Sequence, residues 1–126
     1  MTERFTDGGE AQAGYCRAVR RGNLVTVSGT TATGPDGTAM YPGDTGAQAR
    51  ECLRRVERAL AALGAGLDDV VRTVVYLAPG ARWQQAADAH RDVLGAVGPA
   101  NTMLQVAGLI GDGFLVEIEA QAVVLA

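Results

Sequence analysis

Glu117 and Glu119 lie two residues apart in the alternating run Phe114 to Leu125. They are the residues whose type and spacing point most directly to acid–base chemistry. Residues two apart on a strand project from the same side, so the two carboxylates share a face. In a partly closed setting, desolvation raises such a carboxyl group towards the range useful for proton transfer near neutrality. The competing reading is a solvated or paired strand carboxylate, and Glu119 could instead be an acid at a subunit contact. Tyr15 and Arg17 form a second pair with the same two-residue spacing. That pair could bring a phenol and a guanidinium into one cleft, or leave the arginine solvated at a sheet edge. Arg72 carries the same ambiguity. The Ser28 hydroxyl and the Asn101 amide can hydrogen-bond a ligand or satisfy nearby backbone groups.

Other chemistries are excluded by what the chain lacks. All 11 basic residues are arginines, so no side-chain amine can form a Schiff base and no phosphate-loop lysine exists. Cys16 and Cys52 are far apart with no CxxC, and His90 is the single histidine, which argues against a zinc site. Spacing alone permits a Cys16–His90 pair, but both thiols are read as packing residues. His90 is read as a structural or exposed helical histidine and Trp83 as packing or interface surface. The net charge of −3 argues against a nucleic-acid partner. No signal-like start and no uncharged run of 18 apolar residues is present, so neither a membrane span nor a leader is expected, and we place the protein in the cytoplasm.

A chain of 126 residues, 48% hydrophobic and 20% charged, suits one domain, because two cores at this size would each be marginal. Residues 1–12 lack periodicity and read as a loose N-terminal arm, leaving 13–126 as a single domain. Tyr15 to Arg20 and Leu24 to Ser28 flank Arg21-Gly22-Asn23, a hairpin signal. Thr30 to Gly43 reads as loop with room for one short strand. Asp44 is a helix cap before apolar residues spaced by three and four from Ala49 to Leu63, with Gly64 and Gly66 closing the helix and its other face, including Arg50, Glu51, Arg54, Arg55 and Arg58, turned to water. Val70 to Leu77 is β-branched, Ala81 to Leu94 is helical, and Asn101 to Val106 and Phe114 to Leu125 are strands.

Two helices then cover one face of a mixed sheet, an α+β arrangement. In the last strand Phe114, Val116, Ile118, Ala120, Ala122 and Val124 share an apolar side, while Leu115, Glu117, Glu119, Gln121 and Val123 share a mixed one. Thr26 and Ser28, and Asn101, Met103 and Gln105, are assigned to that mixed side as well. It is too apolar for open water, so a second subunit is expected to cover it.

The segments Val27-Ser28-Gly29, Gln48 to Leu53, Asp69 to Leu77, Pro99-Ala100-Asn101-Thr102 and Val116 to Ala120 resemble the Rid family, the reactive intermediate deaminases of YjgF/UK type. Their order and spacing match from Tyr15 to Ala122. The resemblance implies a chorismate-mutase-like α+β fold, a homotrimer with a central barrel, and small-molecule clefts between neighbouring subunits. In the best-studied branch, members hydrolyse 2-aminoacrylate and related enamines or imines to 2-keto acids and ammonia without metal or organic cofactor. An arginine in a Pro-Ala-Arg-Thr segment clamps the substrate carboxylate, and a glutamate in the last strand handles the attacking water.

Glu117 matches the glutamate, Tyr15 a cleft tyrosine, and Ser28-Gly29 a cleft turn. Asn101 replaces the arginine. An amide lacks the charge and the two-pronged fork that grip a carboxylate, a loss of about 2–5 kcal/mol for a buried pair. The implied activity is deamination of a small enamine or imine, with 2-imino acids disfavoured unless Arg17 or Arg72 compensates. The alternative is a homologue that binds a small metabolite without turnover. An old ribonuclease label on some relatives sits badly with the net charge and the absence of lysine.

Overall fold

The computed structural model describes residues 1–125. Strands β2 (Ala18–Arg21) and β3 (Leu24–Thr31) form the expected hairpin. Its two-residue turn has a positive φ of 60° at Gly22, which glycine adopts without steric cost. Helix α1 (Thr45–Ala62) starts where the Asp44 side chain accepts from the Ala47 N–H at 3.0 Å. It ends as Ala65 N–H bonds Leu60 C=O and Gly64 N–H bonds Ala61 C=O, with Gly64 at φ 78°. That is a Schellman closure; Gly66, expected to share the role, is extended. Strand β4 (Val70–Leu77) has the expected bounds, and helix α2 (Trp83–Leu94), strand β5 (Ala100–Gln105) and strand β6 (Val116–Val123) differ from theirs by one or two residues at one or both ends.

The N-terminal arm is not loose. Thr2–Phe5 is a further strand, β1, antiparallel to β2, and Glu10–Ala13 makes a turn of 3₁₀ helix. The edge of β2 presents unpaired backbone groups, and this four-residue segment satisfies them. The short strand allowed for between Thr30 and Gly43 reduces to one bridge, Thr33 to Ala39, while β3 itself runs on to Thr31.

The sheet has six strands in the order β1-β2-β3-β6-β4-β5; β4 and β5 are parallel, joined through α2, and the rest are antiparallel. Both helices pack on one face. Cys52, Leu53, Val56 and Leu60 of α1 meet Val25, Val27, Val116 and Ile118 in a single buried cluster. This is the α+β architecture expected.

The opposite face carries Leu24 opposite Val123, Thr26 opposite Gln121, and Tyr76 opposite Glu117. Leu24 and Leu104 remain exposed there, as expected for a face that the chain itself leaves uncovered. The placement of Asn101, Met103 and Gln105 on it is corrected by the register. Their partners are Thr73, Val75 and Leu77, so they share the helix-covered face, and Thr102 and Leu104 take the open one. Polar and apolar residues occur on both sides of β5, so alternation could not choose its face.

Gln48 is fully buried on α1 and ties the segment before β6 to the core. Its Nε2 donates to Gly113 C=O and its Oε1 accepts from Leu115 N–H, both at 2.9 Å. Replacing it with leucine strands two backbone groups. Gln48→Leu is expected to cost about 1–3 kcal/mol, read as a lowered denaturant midpoint; an unchanged midpoint would mean that this segment is held by other contacts.

Candidate active site

Where β3 finishes and β6 begins, Thr31 pairs with Glu117. A cleft of about 940 Å³ opens there, and Tyr15, Arg17, Gly29 and Glu117 all line it. The local fold explains how they meet. Arg17 N–H donates to Phe5 C=O at 2.8 Å and Tyr15 N–H to Glu10 C=O at 3.2 Å, so the N-terminal segment sets the path of Tyr15–Arg17. Ser28 fastens the same stretch from the other side, its Oγ donating to Cys16 C=O at 2.8 Å. Ser28 thus acts on the backbone, and it is not among the cleft-lining residues.

The Glu117 carboxylate lies against Gly29. A Cβ built at Gly29 would collide with Oε2 and stand only 3.0 Å from Cδ, so the missing side chain is what admits the carboxylate. Burial pushes the Glu117 carboxyl above the usual range; nearby Arg17 pulls it down and Glu119 pushes it up. Among the described residues Glu117 has no hydrogen-bond or ion-pair partner. Glu119 differs, because the Tyr76 hydroxyl donates to it, and that bond raises the Tyr76 phenol. Of the two candidate carboxylates, therefore, Glu117 alone lines the cleft with its oxygens unclaimed.

Asn101 is elsewhere in the chain. Its Nδ2 donates to Thr73 Oγ1 at 3.0 Å, and Thr73 Oγ1 in turn meets His90 Nε2 at 2.7 Å. It lines shallow grooves between α2 and β5. Arg72 is exposed on β4 opposite Gln121, four residues from the Tyr76 that faces Glu117, and does not line the cleft. Strands β3 and β6 separate the Cys16 end of β2 from β4, over which His90 lies, so the Cys16–His90 pair does not form. Cys52 is buried and desolvation lifts its thiol to about 12, which removes it as a nucleophile.

Several cleft residues escaped the sequence reading. Glu51 and Arg55, assigned to the watery face of α1, are buried and half-buried, and both line the cleft. Arg55 donates to Thr31 C=O and to both oxygens of Asp7 at 3.1 and 3.2 Å. Asp7 comes from the segment expected to be loose, so the partner that draws Arg55 inward was not visible. Ile110 and Phe114 complete the rim. No group of three His, Cys, Asp or Glu side chains placed to hold a metal ion occurs among the described residues, and no helix there is long and apolar enough to cross a membrane.

A family model described as Endoribonuclease L-PSP matches residues 6–124. The chain belongs to the Rid, or YjgF/UK114, family. A crystal structure of a YjgF/YER057c/UK114 family member from Mycobacterium tuberculosis superimposes with a TM-score of 0.86 at 42% identity, covering 98% of this chain and 100% of that one. The 2-iminobutanoate/2-iminopropanoate deaminase of Escherichia coli strain K12 is 34% identical over 112 residues, 86% of either chain. The RutC family protein PH0854 of Pyrococcus horikoshii is 29% identical over 119 residues, 94% of either chain. Within this Rid chain Tyr15, Arg17, Gly29 and Glu117 gather in one cleft, while Asn101 does not reach it.

Proposed function

We propose that this Rid-family protein deaminates a small enamine or imine, without a cofactor, in a cleft that a neighbouring copy completes. The observation that carries the reading is Glu117: a desolvated carboxylate with no partner among the described residues, seated against Gly29 in a cleft walled by Tyr15. A water bound to Glu117 gives up a proton as its oxygen adds to the C=N carbon. With the imine nitrogen protonated this addition gives a neutral carbinolamine. Glu117 then passes its proton to the amine nitrogen and takes the hydroxyl proton as C=O forms and the C–N bond breaks, and a carbonyl compound and ammonia leave. An enamine enters the same sequence after protonation at carbon to the imine. Asn101 of a second copy would donate to a neutral carbonyl or hydroxyl of the ligand.

Assembly belongs to the proposal. The open face with Leu24, Leu104 and Val123, and the uncovered edge of β5, support burial against further copies. The Rid resemblance, rather than the exposed face itself, selects three copies over two, a homotrimer with three equivalent clefts. The expected solution mass is about three times 13.0 kDa. Val123→Arg is expected to dissociate the particle and abolish ligand binding together, read by sedimentation and calorimetry. A wild-type monomer at micromolar concentration would remove the shared cleft.

Ammonia release from a panel of freshly generated imines tests the activity. Turnover on imines lacking a carboxylate supports the proposal, whereas binding without turnover on every member would replace it with a metabolite-binding role. The nuclease description of the family model is not carried to this chain. A net charge of −3 without lysine gives a poor grip on a phosphate backbone.

A further inference from the structure

Asn101, Thr73 and His90 form a hydrogen-bonded row from β5 across β4 to α2. Thr73 and Asn101 are register partners on the helix-covered face. Asn101 Nδ2 donates to Thr73 Oγ1 at 3.0 Å, and Thr73 Oγ1 lies 2.7 Å from His90 Nε2. Thr73 is fully buried, and its hydroxyl has no further partner among the described residues. A hydroxyl has one hydrogen to give, and a buried donor left without an acceptor is costly. With Asn101 already donating to the oxygen, the acceptor left for that hydrogen is His90 Nε2. The imidazole is then neutral with its proton on Nδ1. Burial, which lowers the proton affinity of His90, favours the same neutral form. Nearby charges are spent on one another, Arg91 pairing with Asp88 and Asp92, and Arg50 of α1 with Asp92. At the other end of the row Asn101 is exposed and lines the grooves between α2 and β5. Its Oδ1 and second Nδ2 hydrogen have no partner among the described residues.

We infer that His90, acting through Thr73, holds the Asn101 amide in one orientation, and that the ligand carries a carboxamide rather than a carboxylate at that end. This rests on the proposed reading in which Asn101 of a second copy meets the ligand, and it names the group that is met. Held by one N–H, the amide offers outward one acceptor, Oδ1, and one donor, the second Nδ2 hydrogen. A primary carboxamide presents the complementary donor and acceptor, so both bonds form without burying a charge. A carboxylate has acceptors alone, and one of its oxygens would be set against Oδ1, a mismatch that selects against it. An amide released from the row could turn over and offer two N–H donors instead. His90 and Thr73 are therefore positioning residues, and Asn101 is the residue that touches the ligand.

His90 is the single histidine, so ¹⁵N NMR of the wild-type protein at pH 8 reads its two ring nitrogens without ambiguity. The bare nitrogen is expected to be Nε2. Pyruvamide and pyruvate, titrated calorimetrically, test the choice of ligand, and pyruvamide is expected to bind at least tenfold more tightly. Thr73→Val keeps the shape of the side chain and removes the hydroxyl. It should cut that preference by roughly 3- to 10-fold, and Thr73→Ser should restore it. A proton on Nε2, equal affinity for the two probes in the wild type, or an unchanged preference in Thr73→Val would each overturn the assignment. The first two are read on the wild type and stand even if the valine variant folds poorly. If the proton is on Nδ1 and the preference depends on Thr73, but no imine is turned over, the deaminase reading fails and this one stands. If imines are turned over and the preference ignores Thr73, the reverse holds.

Discussion

Glu117→Gln should lose turnover by roughly 10²- to 10⁴-fold, the usual contribution of a positioned general base, while becoming more stable than the wild type near neutral pH. The two effects have one origin. Burial raises the carboxyl of Glu117 in the folded protein above its value in the unfolded chain. A group raised in this way stabilises the fold only while protonated, below its unfolded value, and that stability is lost as pH climbs through the folded value. At neutrality the ionised carboxylate therefore weakens the fold, and glutamine removes the burden. Denaturant unfolding at several pH values should show the variant's advantage growing from about pH 4.5, the ordinary carboxyl value, and levelling off once the folded carboxyl is ionised. A variant advantage that shrinks with rising pH would show that Glu117 is not desolvated in the folded protein. The acid limb of the wild-type rate profile should follow the same ionisation. Arg17→Gln should shift that limb upward, because Arg17 is what pulls the carboxyl down.

The parts of this molecule that could be read from its sequence are those decided by near neighbours in the chain. Asp44, the spacing of Cys52, Val56 and Leu60, and Gly64 specify α1 because cap, stripe and closure all lie within one stretch. The alternation of Val116, Ile118 and Ala120 against Glu117 and Glu119 assigns the faces of β6 for the same reason. Strand β1 was invisible because Thr2–Phe5 has no pattern of its own and exists through its pairing with β2. Arg55 looked solvated for a related reason, since its partner Asp7 is 48 residues away. Asn101 was misassigned because an edge strand of mixed character takes its facing from register alone. The meeting of Tyr15, Arg17, Gly29 and Glu117 needed both kinds of information. Two-residue spacing paired Tyr15 with Arg17, but only the long-range pairing of β3 with β6 brings Gly29 against Glu117.

That last contact yields the second large effect. Gly29→Ala is expected to leave the fold nearly intact and reduce activity as severely as removing Glu117 itself. The backbone at Gly29 does not lie in the left-handed region, so alanine brings no conformational strain there. Its methyl group, however, would overlap Glu117 Oε2 and crowd Cδ at 3.0 Å and Cγ at 3.3 Å. A flexible side chain can rotate away from such a clash, so the stability change should stay within about 1 kcal/mol. The rotation takes the carboxylate out of the position from which it reaches a bound water, and displacements of about 1 Å in a catalytic group cost on the order of 100-fold in rate. Thermal melting, the acid limb of the rate profile and ammonia release should be measured on the same preparation. A fall in rate with an unchanged melting temperature and a lowered acid limb, as Glu117 moves into water, locates the defect in the placement of one carboxylate. Full activity in Gly29→Ala would show that the base is not held where β3 and β6 place it.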